Sequence, residues 1–131
     1  MIVVDASAIL AIVLKEDDGP GFRTVLARSM GSVISAVNYW EVLVRAQVAR
    51  DAAGVAAAET VMSELGVEVT GIDAETARMA ARAFGRFGRH TPARLNLGDC
   101  FAYALATKEG DGLLFKGNDF SKTDIKNALD G

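Results

Sequence analysis

The sequence predicts an α/β fold, a three-layer sandwich in which a mainly parallel central sheet is flanked by helices. Two observations predict it. Apolar runs of four or five residues alternate with longer helix-compatible stretches, the pattern of strand followed by helix along the chain. A length of 131 residues with 50% hydrophobic content suits one domain with a core.

Taken in order, "IVVD" reads as a buried strand and residues 7–14 as the first helix. "KEDDGPG" reads as a turn because of its Gly and Pro. "SVIS" is a second strand, followed by helix-compatible stretches at 36–51 and 55–65, with Ser35 as candidate N-cap. "VEVTGI" is a third strand and 74–87 a helix; "GRHTPARLN" is a turn before a helix at 97–108 with Asn96 as candidate cap. "LLFKG" is the last strand. No repeat, low-complexity segment or linker divides the chain, so a single domain over 1–131 is expected.

Composition narrows the function classes. Fourteen Lys plus Arg against seventeen Asp plus Glu give a net charge of −3, which does not announce a nucleic-acid binder. The single Cys100 forms no internal disulfide; it suits a reducing cytosol and the role of a small buried hydrophobe. The apolar N-terminus has no basic residue before it, carries Asp5 within it and is too short to span a membrane. A soluble cytoplasmic protein is the expectation.

Asp5 raises the functional question. It ends an apolar run, and from Ala6 to Leu14 only Ser7 is polar. An ionised carboxylate in such a setting is costly unless it is paired, hydrogen-bonded or holding a metal. In open α/β sheets, sites gather outside the carboxyl ends of the strands. Asp5 ends the first strand, and Asp119 follows the last in "GNDF". Glu41 lies about a turn and a half into the helix after "SVIS", and Asp99 lies in the first turn of "NLGDCFAYALA". Separated by 36, 58 and 20 residues, all four can face one edge of the sheet.

Each acid alone also has a plain structural explanation. Asp5 can form a strand-end turn, and Glu41 can pair with Arg45 four residues on. Asp99 can complement the helix dipole, and Asp119 or its neighbour Asn118 can cap a turn. A shared cause covers all four. Crowded carboxylates repel, which raises their pKa values unless a cation intervenes. Magnesium takes oxygen ligands, keeps several waters and uses only one or two carboxylates; zinc fits poorly because the chain has one His and one Cys without close ligand spacing. Magnesium beside open water positions suits phosphodiester hydrolysis, the work of a nuclease or phosphatase.

"IVVDASAIL", "SAVNYWEVL", "NLGDCFAYALA" and "LLFKGNDFSKTDI" together resemble the successive acidic motifs of PIN-domain ribonucleases, particularly the VapC-type toxins of bacterial toxin–antitoxin pairs. The similarity covers essentially the whole chain. By position, the resemblance implies an acidic catalytic site of Asp5, Glu41, Asp99 and Asp119, with Asp5 and Asp99 as metal ligands and Ser7 in support. It further implies an endoribonuclease dependent on Mg²⁺ or Mn²⁺, a small antitoxin as partner, and a homodimer. The alternative is a catalytically silent binding module whose acids grip a basic segment of a partner. A receiver-like phospho-acceptor domain is weaker, since only Lys116 follows the last strand; a dehalogenase-type phosphatase would want an acid where Ser7 stands.

Residues 78–98 hold five arginines, one His and no acid. Arg78, Arg82, Arg86 and Arg89 share a helical face, with Ala77, Ala80, Phe84 and Phe87 expected on the opposing, apolar side. Such a stripe is either a solvated face or a cradle for an RNA backbone. Tyr39 and Trp40 are expected in packing or dimer contacts, and the alanine-rich "AAGVAAAETVMSELG" offers a smooth surface for a second protein.

Overall fold

A computed structural model describes residues 1–130. Apolar runs and helices alternate in it as the pattern demands. β1 (Ile2–Val4) leads into α1 (Ala6–Val13) and α2 (Gly19–Arg28); β2 (Ser32–Ser35) leads into α3 (Ala36–Glu64). Next come β3 (Val67–Thr70), α4 (Ala74–Phe87), α5 (Leu97–Glu109) and β4 (Leu113–Leu114), and then 3-10 turns at Asp119–Lys122 and Ala128–Asp130.

The four strands form one parallel sheet in the order β3-β2-β1-β4. β1 is central: Val3 is in register with Val33 on one side and with Leu113 on the other. Strand order reverses between β1 and β4, because the chain steps away from β1 to β2 and β3 before returning to its far side. Such a switch point opens a crevice at the carboxyl ends of the two strands.

Side chains alternate across the sheet and so divide the core. Val4, Ile34 and Leu114 pack with α1, α2 and α3, whereas Val3, Val33 and Leu113 pack with α4 and α5. α1 is buried along nearly its whole length, with Ile9 and Ala11 fully enclosed. Burial of this kind contributes roughly 1.5–3 kcal/mol for each large aliphatic side chain. The frame holding Asp5 is therefore rigid. No helix among the described residues is long and apolar enough to cross a membrane.

Several expectations need correction. "KEDDGPG" is a turn only as far as Asp18; from Gly19 the chain is helical. Pro20 is harmless there, because the first turn of a helix lacks acceptors for its N–H groups. Gly19 is required by packing, since a Cβ would lie 2.6 Å from the carbonyl oxygen of Ala11. The helices read at 36–51 and 55–65 are joined in α3 across a kink at Arg50 and Asp51, where Asp51 has φ 53. On α4 the buried residues are Thr76, Ala80 and Ala83, while Ala77 and Phe84 are exposed. "LLFKG" contributes only Leu113 and Leu114 to the sheet.

Candidate active site

Asp5 follows β1 directly and serves as the N-cap of α1. Its Oδ2 accepts the backbone N–H of Ser7 at 3.1 Å and the Ser7 hydroxyl at 2.5 Å. The same Ser7 oxygen accepts the backbone N–H of Lys116 at 2.9 Å, and the Asp5 N–H donates to Leu114 at 2.9 Å. Ser7 is thus a relay that fastens Asp5 to the end of β4. Asp5 is only 6% exposed. Burial raises its pKa, the Ser7 bonds oppose the rise, and the charge of Glu41 adds to it.

Glu41 is positioned from two sides. Ser35 caps α3 by accepting from Val37 and Asn38 at 3.1 and 3.4 Å, and three residues' spacing puts Asn38 and Glu41 on one face. Asn38 is fully buried; its Nδ2 donates to Glu41 Oε1 at 2.7 Å and to the Gly98 carbonyl at 3.0 Å. Two acceptors around one amide nitrogen fix which way the amide points. Gly98 provides the room, because a Cβ there would lie 2.6 Å from both Cδ and Oε2 of Glu41 and closer still to Oε1. The expected pair with Arg45 gives way to this socket, although the Arg45 charge still lowers the Glu41 pKa somewhat. The net shift is upward, from burial first and then the charge of Asp99.

Asp99 is locked by a reciprocal capping box: its N–H donates to Asn96 Oδ1 at 2.8 Å, and its Oδ2 accepts the Asn96 N–H at 3.0 Å. Burial, with the charges of Asp5 and Asp119, pushes its pKa up to about 6, against the pull of the Asn96 bond and of Arg89. Asp119 opens the 3-10 turn after β4 and is exposed. Phe120 anchors that turn, its ring tilted 55° against that of Phe115 with centroids 5.0 Å apart. Asn118 makes no side-chain capping bond.

The four acids thus come from four elements, and three of them feel the field of another: Asp5 that of Glu41, Glu41 that of Asp99, and Asp99 those of Asp5 and Asp119. No three His, Cys, Asp or Glu among the described residues stand close enough to form a ready-made cage. A magnesium site does not require one, since that ion is usually held by one or two carboxylates and completed by water. The donor set is all oxygen, and the buried Asn38 Oδ1 has no hydrogen-bond partner. These residues fit a hard divalent cation. The Lys116 ammonium does not neutralise the pocket, because Glu16 at 2.7 Å and Asp18 at 3.3 Å hold it.

Asn38 and Gly98 are the residues that sequence reasoning missed. The available signal was an Asn inside a helix, where that residue type is disfavoured, three positions before an acid. Across the sequence, a model of the PIN domain matches residues 2–126. The chain belongs to the PIN domain family. Ribonuclease VapC42 of Mycobacterium tuberculosis is 43% identical to this PIN domain over 129 residues, which cover 96% of this chain and 98% of the relative. Ribonuclease VapC28 of the same organism is 38% identical over 130 residues, 98% of each. The crystal structure of Mycobacterium tuberculosis VapC20, a sarcin–ricin loop cleaving toxin, superposes with a TM-score of 0.79 at 17% identity, covering 96% of this chain and 97% of that one. The PIN fold, expected from four short acidic motifs, is therefore established.

Proposed function

We propose that this PIN domain, a single unit over residues 1–131, is a metal-dependent endoribonuclease that hydrolyses RNA phosphodiester bonds as the toxin of a toxin–antitoxin pair. The observation that carries the reading is the convergence of Asp5, Glu41 and Asp99, whose carboxyl pKa values burial and one another's charges raise, with the charge of Asp119 acting on Asp99, beside the sheet's switch point. Identity of 43% to a named VapC ribonuclease across nearly the whole chain supports the choice of RNA and the toxin role.

In this reading Asp5 and Asp99 hold Mg²⁺ or Mn²⁺, with Asp119 at the exposed edge. The ion supplies Lewis-acid stabilisation of charge developing on the phosphate and lowers the pKa of a nearby water. Ser7 and the capping box keep the two Asp side chains in place before substrate arrives, so little ordering remains to be done. Glu41 Oε2, outside the Asn38 bond, is the oxygen available to take a proton from the attacking water, and its raised pKa suits a base. A small antitoxin is the protein partner. A homodimer is also proposed, supported by two exposed apolar side chains about two turns apart on α3, Trp40 at 63% and Val48 at 83%.

The test pairs cleavage with folding. Asp5→Asn should abolish cleavage of a generic RNA in Mg²⁺ while its metal-free melting temperature stays level or rises, because repulsion with Glu41 is relieved. A well-folded Asp5→Asn protein that still cleaves would defeat the assignment, and equal Mg²⁺ affinity in both proteins by calorimetry would remove Asp5 as a ligand.

A further inference from the structure

We propose that the groove between α4 and α5 is a track for the single-stranded RNA flanking the scissile bond; the proposal rests on the ribonuclease reading above. Arg82 and Arg86 line a cavity of about 300 Å³ with Tyr103 and Thr107. A second cavity of about 320 Å³ shares Arg86, Tyr103 and Thr107 and adds Lys126 to the lining. The shared lining makes them one groove.

Its direction follows from the helix pairing. Lys108, in the last turn of α5, donates to Thr76 in the first turn of α4 at 3.3 Å, whereas Phe84 shares an apolar cavity with Leu97, the first residue of α5. The helices are antiparallel. Arg78, Arg82 and Arg86 therefore run along α4 from the far end of α5 back toward its first turn, which carries Asp99, and Arg89 follows just past the C-cap Gly88. From Arg78 to Arg86, eight residues on, the helix rises about 12 Å. A row of cations that begins at the acidic site and leads away from it offers phosphate contacts where a cleaved strand continues.

The chemistry of the groove favours a nucleotide chain. Met79, Ala83 and Ala104 give it an apolar floor beside the edge of Tyr103, and the cations stand on its rim. Sugar and base faces suit such a floor, and phosphates suit such a rim. Asp124 is the one carboxylate among the lining residues, and it is occupied by Arg86 at 3.5 Å and by the Tyr103 hydroxyl. With both side chains of the Arg86–Asp124 pair about 60% exposed, the pair opens at little cost when a phosphate competes. The chain as a whole has no such cationic bias, since its net charge is −3.

The experiment compares wild type, Arg82→Ala/Arg86→Ala, Lys126→Glu and the charge-matched control Arg23→Ala/Arg28→Ala on the far helix α2. Binding of a single-stranded RNA is followed by fluorescence anisotropy in chelator at several salt concentrations, and cleavage kinetics are followed in Mg²⁺. Losing two phosphate contacts should reduce the slope of log K against log salt by about 1.4 and weaken binding about tenfold near 0.15 M salt. The loss should fall on KM rather than kcat, because these contacts form equally in ground and transition states. Lys126→Glu, in the lining but outside α4, should act in the same direction, and the α2 control should not. Unchanged KM and salt slope in the groove variants, with cleavage intact, would overturn the track while leaving the nuclease standing. Absence of Asp5-dependent cleavage in wild type would instead overturn the nuclease reading. Normal RNA binding alongside lost binding of polyglutamate would assign the groove to an acidic protein segment and also overturn the proposal.

Discussion

Gly98→Ala separates folding from function more sharply than removal of any acid. The new Cβ would lie 2.6 Å from Glu41 Cδ and Oε2, against the 3.4 Å at which ordinary contact begins, so the carboxyl group must retreat by close to 1 Å. That shift stretches the 2.7 Å bond from Asn38 beyond useful length. The backbone gives no reason for harm, because Gly98 lies in the first turn of α5 without a left-handed φ. One lost hydrogen bond costs about 1 kcal/mol, and exchanging Gly for Ala in a helix returns up to about 1 kcal/mol. Stability should therefore change by less than about 1 kcal/mol. Misplacement of a reacting group by 1 Å costs on the order of 10²-fold in rate. The assay is initial cleavage rate beside a thermal melt, with Gly85→Ala as control, since a Cβ at that position meets nothing within 4 Å. A folded Gly98→Ala protein that cleaves at the wild-type rate would show that Glu41 does not work from this position. Collapse of the melt would show that Gly98 serves the fold instead.

The remaining predictions follow from the same geometry. Burial pushes the folded pKa of Asp99 up to about 6 from an ordinary 3.8, so between those values the folded chain holds a proton that the unfolded chain has lost. Its contribution to metal-free stability is complete below pH 4 and disappears as pH rises through 6; melts in chelator from pH 4.5 to 7.5 should fall more steeply for wild type than for Asp99→Asn, and equal slopes would refute this. Asn38→Ala removes both bonds of a fully buried amide and should cost about 1–3 kcal/mol by urea titration, together with at least a tenfold loss of cleavage. Ser7→Ala breaks the relay between Asp5 and the Lys116 N–H; the expected loss of about 1–2 kcal/mol would be contradicted by an unchanged denaturation midpoint.

What the sequence made legible was local chemistry. Asp5 was visible because a lone charge in an apolar run has few innocent explanations, and Ser35 and Asn96 were visible because capping uses residues adjacent in sequence. α2 escaped because its flanking Gly and Pro imitate a turn and only Phe22 and Leu26 mark its buried face. The Asn38 socket escaped for a different reason. Its second partner lies 60 residues away, and a contact formed by folding leaves no periodicity to read. The face of α4 was misjudged because α5 approaches at Ala80 and Ala83, which places Phe84 at the rim.

The central place of β1 between β2 and β4 has a consequence for synthesis. Asp5 is made before the partners that orient it, since the Leu114 carbonyl and the Lys116 N–H emerge more than a hundred residues later. A chain that stops before β4 already contains Asp5, Glu41 and Asp99, but the sheet lacks the strand against which Asp5 and its Ser7 relay are set. Vectorial synthesis thus assembles the acidic pocket last, and truncated products carry its residues without its geometry.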